Sequence, residues 1–188
     1  VTGSQMPGYA EAFGLTPAQR STIAEVKQVG VQAGGVEGAN VLWQGEEATL
    51  EFEVTNKTNE EQYLQGFLET IHYRTEVKIG DWWVPHVYRL GLAGRTAVAV
   101  HLAPRATVRL KVKPVVPQKL GGYVLVFDFG KAGRVFGAAV VRVVRPDPGK
   151  VFIPTFALDM PWPHEMSEAV MATFYKLGIK GCRLGIGY

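Results

Sequence analysis

Asp81, Trp82, Trp83, His86, Tyr88 and Arg89 crowd aromatic and hydrogen-bonding groups into one short stretch. Aromatic faces stack on sugar rings and the Trp indole also donates a hydrogen bond, so these residues could form a ridge that contacts carbohydrate. Adjacent residues of a strand point to opposite faces, so at most one of Trp82 and Trp83 can be exposed on a given side. The competing assignment puts one Trp in a β core and packs the other against the C-terminal part of the chain. His72, His86, His101 and His164 are too dispersed to suggest a metal site. The single cysteine, Cys182, excludes an internal disulfide and a Cys-based zinc site, and its place in a strand expected over Gly181 to Ile186 favours core packing over nucleophilic chemistry. No nucleophile and base pairing stands out, and no cofactor is expected.

The elements that must carry these residues read as strands from Ile23 to Arg145. Ala24 to Gln32 carries Val26, then Val29 and Val31, and the slip in phase points to a bulge or a switch between sheets. Thr49 to Thr55 alternates cleanly, with Leu50, Phe52 and Val54 inward and Glu51 and Glu53 outward. NKTNEE, from Asn56 to Glu61, is a polar loop. A long strand region follows from Tyr63 to Lys78, and GDWW at Gly80 to Trp83 marks a turn. Thr96 to Leu102, Ala106 to Val112, Tyr123 to Phe129 and Val135 to Val144 complete the set, with no helix among them. About seven short strands with frequent turn signals argue for an antiparallel β-sandwich. Gly121, Gly122 and Tyr123 ahead of a strong strand read as a tyrosine corner of the immunoglobulin-like type, and FDFGKAGRVFG reads as the final hairpin.

The C-terminal stretch has a different pattern. Phe152 to Leu158 is an apolar run ending at Asp159, as suits a buried parallel strand with a polar residue at its carboxyl end. Pro161, Trp162 and Pro163 break any ladder. Ser167 then offers a helix cap, Met166, Val170, Phe174 and Leu177 recur at helical spacing, and Gly178 closes the helix. Gly181 to Ile186 suits a second parallel strand reached by a right-handed crossover. The division expected is therefore an N-terminal extension over 1–22, a β-sandwich over 23–145, a linker over 146–150, and a β-α-β segment over 151–188.

A sandwich ending in FGAAVVRVV, a Pro-rich link, RPDPGKVF, and then FALDMPWPHEMSEAVMATFYKLGIKGCRLG resembles the N-terminal accessory domain and barrel start of multidomain glycoside hydrolases with (β/α)8 catalytic domains. KLGIKGCRLG is its most specific part, similar to the second-strand pattern of the retaining clan that contains many β-galactosidases, cellulases and xylosidases. The resemblance implies that Arg183 lines the sugar subsite nearest the scissile bond, with an ion pair at the barrel rim as the competing role. It further implies that Asp159 and His164 lie on the catalytic face at the carboxyl ends of the strands, unless they only order the loop. The paired carboxylates of such enzymes, about 5 Å apart in the retaining geometry, come from later strands, so this chain alone is expected to be inactive. The implied partners are the rest of the barrel in the same polypeptide and a carbohydrate substrate. A free-standing sandwich that binds carbohydrate or protein is the alternative.

Composition is ordinary for a globular chain: 188 residues, 47% hydrophobic and 20% charged. The formal charge of +3 and a pI near 9.0 raise nucleic acid as a partner, but the cations are scattered instead of clustered, so none is expected. Arg105, Arg109, Lys111 and Lys113 alternate like the solvent face of one strand. The most apolar stretch, Val135 to Val144, is interrupted by Arg142, and no membrane partner is expected. VTGSQMPGYAEAFG has neither the basic nor the apolar segment of a leader, and a secreted chain trimmed of its leader reads the same; the location stays open, and an extracellular or periplasmic site is expected only if a leader has been removed.

Overall fold

Alternating apolar residues set the architecture. In the computed structural model, which describes residues 7–29, 39–77 and 85–145 with the backbone of 159–160 and 183–184, the chain is mainly β. A short helix α1 (Tyr9–Phe13) precedes strands β1 (Ala24–Gln28), β2 (Ala39–Trp43), β3 (Leu50–Asn56), β4 (Gln62–Val77), β5 (Pro85–Leu102), β6 (Thr107–Val112), β7 (Gly121–Asp128) and β8 (Arg134–Val143). Two two-residue strands follow, β9 (Asp159–Met160) and β10 (Arg183–Leu184). One sheet has three strands in the order β1-β3-β6, and the other has five in the order β2-β8-β7-β4-β5. Within these two sheets only β2 and β8 run parallel; the other pairings are antiparallel.

The two sheets share one core. Leu50, Phe52 and Val54 on β3 are fully buried, as their alternation requires, and meet Tyr123, Leu125 and Phe127 from β7. The rings of Phe52 and Phe127 lie 5.0 Å apart at 87°, the edge-to-face contact aromatic quadrupoles favour. β7 is buried on both faces. Its odd-numbered residues fill the space between the sheets, while Val124 and Val126 pack with Ile71, Val87, Ala12, Phe13 and Leu15 on the far side of the five-stranded sheet. The N-terminal segment therefore covers part of the second face.

On the opposite surface Glu51 stands across from Lys111 and Glu53 from Arg109, and both pairs are bridged, at 2.7 and 3.4 Å. Lys113 pairs with Glu47. The alternating cations of β6 are thus cross-strand partners of acidic residues.

Tyr123 makes the bond expected of a tyrosine corner. Its hydroxyl donates to the Lys119 carbonyl, 2.7 Å away and four residues upstream, while its ring is buried and stacks on His72 at 4.9 Å. Burial pushes the phenol pKa up, so the hydroxyl stays a donor. Tyr123→Phe should keep the packing and lose this bond, lowering the unfolding free energy by about 1 kcal/mol in urea titrations. An unchanged midpoint would show that the bond contributes nothing. The hairpin after β7 also forms as its glycines indicate: Gly130 opens a single 3₁₀ turn with φ 60° and Gly133 follows it with φ 87°.

Several expectations need correction. The strand expected over Ala24 to Gln32 ends at Gln28, and β1 pairs with β3 in unbroken register from Ala24–Asn56 to Gln28–Phe52. The phase slip expected at Val29 and Val31 runs into residues outside the described set; in the described strands, register irregularities lie between Thr70 and Ile71 and between His72 and Tyr73 in the β4–β5 pair, and at Leu125–Val126 in β7–β8. β5 does not begin at Thr96 but at Pro85. β2 was not foreseen. The β9–β10 pair is parallel, with Asp159 opposite Arg183 and Met160 opposite Leu184. The expected helix between them, and the Gly80 to Trp83 turn, lie outside the described residues.

Candidate functional site

β7 pairs with β4 only as far as Tyr73, so the remainder of β4 and the start of β5 project as a two-stranded ribbon. β5 is the edge of its sheet. An open edge needs a cover, and the N-terminal segment supplies one: the Val87 amide donates to the Pro7 carbonyl at 2.9 Å. Gly8 then turns the chain away with φ 77°. A Cβ there would come within 2.5 Å of the Val87 carbonyl oxygen and 2.7 Å of His86 Nε2, so only glycine allows this close approach.

Helix α1 follows and is held by rings. Phe13 meets Tyr9 at 5.0 Å and Tyr73 at 5.4 Å, both edge to face, and Tyr9 also touches Phe136. Burial drives the Tyr9 hydroxyl up to about 12, outweighing the nearby Arg20 guanidinium, and raises Tyr73 as well. Both phenols are therefore neutral at physiological pH and act as packing groups, not as bases.

Between α1 and the β5 edge lies a shallow cavity, largely open to solvent, of about 470 Å³ and lined by Gly8, Glu11, Ala12, His86, Val87, Tyr88 and Arg89. That volume is in the range of small-ligand sites. The His86 and Tyr88 rings lie 4.7 Å apart, tilted by 43°, and the Arg74 guanidinium sits 5.9 Å from the Tyr88 ring centre. Arg74 in turn bridges Glu76 at 2.9 Å. The cavity lining draws on both faces of β5, His86 and Tyr88 from one and Val87 and Arg89 from the other, together with Glu11 and Ala12 of α1. Such a set can both donate and accept hydrogen bonds.

Of the residues singled out in the sequence, His86, Tyr88 and Arg89 come together here. Trp82, Trp83 and His164 lie outside the described residues, as does Cys182; for Asp159 and Arg183 the described backbone gives their adjacency in register. The other histidines are apart: His72 stacks on Tyr123, and His101 bonds Glu61 at 2.8 Å. Among the described residues no group of three or more His, Cys, Asp or Glu is placed to hold a metal. Glu11 escaped sequence reasoning because it sits in a segment read as an extension, where only the Gly8 and Gly14 brackets around a five-residue helix mark structure.

No family model matches this chain, and no curated protein matches it either. Among solved structures, the sporulation control protein Spo0M from Bacillus subtilis is similar at 13% identity and a TM-score of 0.41, over 64% of this chain and 49% of the other. A β-glucosidase from Listeria innocua in complex with isofagomine is similar at 14% identity and a TM-score of 0.30, over 63% of this chain. A variant of that enzyme in complex with laminaribiose gives 15% and 0.28, over 64% of this chain. The match spans 16% of the length of each β-glucosidase chain.

Proposed function

We propose that this chain is the N-terminal region of a retaining glycoside hydrolase, acting on O-glycosidic bonds of poly- or oligosaccharides. In this reading residues 23–145 form an immunoglobulin-like β-sandwich that serves as accessory domain. Residues 146–150 link it to the start of a (β/α)8 barrel at 151–188, and the catalytic carboxylates lie outside this sequence. The observation that carries the reading is the parallel pairing of Asp159 with Arg183, since parallel neighbours need a crossover of a dozen or more residues, usually a helix. Residues 161–182, with their Ser167 cap and helical spacing, have the length and pattern for it. Two sheets around one core and the Tyr123–Lys119 bond support the sandwich half. Arg183 is then the residue assigned to substrate, with Asp159 and His164 beside it on the catalytic face.

The test is turnover of aryl glycosides by the purified chain. No hydrolysis is expected, and measurable turnover sinks the assignment of the carboxylates to other strands. The cavity beside β5 favours a second reading, a non-catalytic module that binds carbohydrate through this edge. Limited proteolysis separates the two. A barrel start without its neighbours exposes strand edge and helix face and is cut quickly within 151–188, whereas an appendage packed on a self-sufficient module resists.

A further inference from the structure

We infer that the cavity between α1 and the edge of β5 is a binding site for a neutral glycan, a pyranose ring held by Glu11, His86, Tyr88 and Arg89. The inference rests on the proposed carbohydrate-active reading and assigns it a site within the β region. A sugar ring presents apolar C–H faces and a rim of hydroxyls, each of which donates and accepts. Glu11 accepts from such hydroxyls and Arg89 donates to them, and hydrogen bonds to charged groups are the stronger kind. His86 and Tyr88 supply aromatic surface 4.7 Å apart, and Ala12 and Val87 apolar side chains.

Two features argue against other occupants. A peptide could add to an open strand edge, but the Val87 amide is already bonded to the Pro7 carbonyl at 2.9 Å, and Gly8 sits tight against the same strand. A strongly charged ligand of either sign meets a like charge, since Glu11 and Arg89 line the same space. A ring with hydroxyls on both sides fits both groups.

The test is a titration of the isotope-labelled 188-residue chain, followed by backbone amide NMR, with cellohexaose, xylohexaose and mannohexaose, and with polygalacturonate for comparison. Saturating shifts at the amides of Ala12, Val87 and Arg89 are expected with at least one neutral oligosaccharide. Glu11→Gln and Arg89→Gln, both at exposed positions, should each weaken that binding by about tenfold while amide signals elsewhere stay in place. Four results overturn the site: no shift at these amides, binding of polygalacturonate alone, shifts gathered instead at the amides of the exposed Tyr63 and Phe67, or affinities unchanged in both variants. The two readings fail separately. Aryl-glycoside turnover defeats the assignment of the carboxylates and leaves the cavity standing, whereas a silent cavity in an inactive chain defeats this inference alone.

Discussion

Replacing Arg142 with Leu should lower the unfolding free energy by about 4 kcal/mol, the largest loss expected from any single polar side chain here. Arg142 interrupts the most apolar stretch of the sequence, yet only 2% of it is exposed. Its guanidinium spans two loops. Nη1 donates to the carbonyls of Trp43 and Glu46 at 2.7 and 2.6 Å, Nη2 to Val116 at 3.1 Å, and Nε to Pro117 at 3.2 Å. The end of β2 is thereby tied to the segment that leads into β7. Burial lowers the Arg142 pKa, but a guanidinium remains charged in proteins, so the site is a buried cation solvated by carbonyl dipoles. Leu would fill part of the volume and remove four hydrogen bonds from these part-buried carbonyls at once, of which the Trp43 carbonyl keeps the Glu46 amide at 3.0 Å; each bond from a charged donor contributes about 1.5–3 kcal/mol before the loops relax toward water. Arg142→Lys should recover only part of the loss, because one ammonium cannot reach both loops as a planar fork does. Urea unfolding of the two variants measures this, and a loss below about 1 kcal/mol for the Leu variant would mean that the loops find other donors.

The same residue shows where sequence reasoning stops. Strands with strict alternation were legible: LEFEV fixed the inward face of β3, and the basic residues of β6 fixed its outward one. Arg142 looked like a break because its partners are carbonyls of two distant loops, which carry no side-chain signature. β2 was hidden for a related reason. Its ANVLW segment lacks alternation, and it joins its sheet by parallel pairing to β8, about a hundred residues away in sequence, so no hairpin turn announces it. The first half of β5 was missed because Leu90 and Ala93 are the extra residues at its two register shifts, and a bulge scrambles a period of two. For the candidate site, His86, Tyr88 and Arg89 were visible as a concentration of chemistry. The wall on its other side was not, since a five-residue helix is too short for periodicity to register, and its placement depends on one amide bond to Pro7 and on the rings of Tyr9, Phe13 and Tyr73.

Glu69→Gln should cost about 3 kcal/mol at neutral pH, and the cost should shrink in acid. Glu69 is 3% exposed on the outer face of β4. One carboxylate oxygen accepts from Arg95 at 2.8 and 2.9 Å, the other from Arg134 at 2.7 Å, and Arg134 also pairs with Asp128. Burial by itself would raise the Glu69 pKa. The bonds from Arg134 and Arg95 and their positive charge outweigh it, and the carboxyl ends below its ordinary value. The unfolded chain, with a Glu pKa of about 4.3, then takes up the proton first as pH falls. Stabilisation from the charged network is complete above that value and is lost as pH drops through the lower folded one. Gln cannot ionise and presents an amide NH₂ toward a guanidinium, so the variant is weaker at pH 7 and lacks this acid-sensitive step. Urea midpoints of both proteins from neutral pH down to about pH 3 should therefore converge. A constant gap across that range would show that the Glu69 charge contributes no stability. The network also bears on the candidate site. The Arg134 amide donates to the Gln19 carbonyl and the Ser21 amide to the Arg134 carbonyl, at 2.8 and 2.9 Å, so the strand end that Glu69 fixes is the anchor of the N-terminal segment. In the Gln variant, hydrogen exchange at the Ala12 amide, bonded to Gly8 at 2.9 Å, should quicken ahead of exchange in β3 and β7. Equal acceleration everywhere would mean that the cavity wall opens only when the whole fold does.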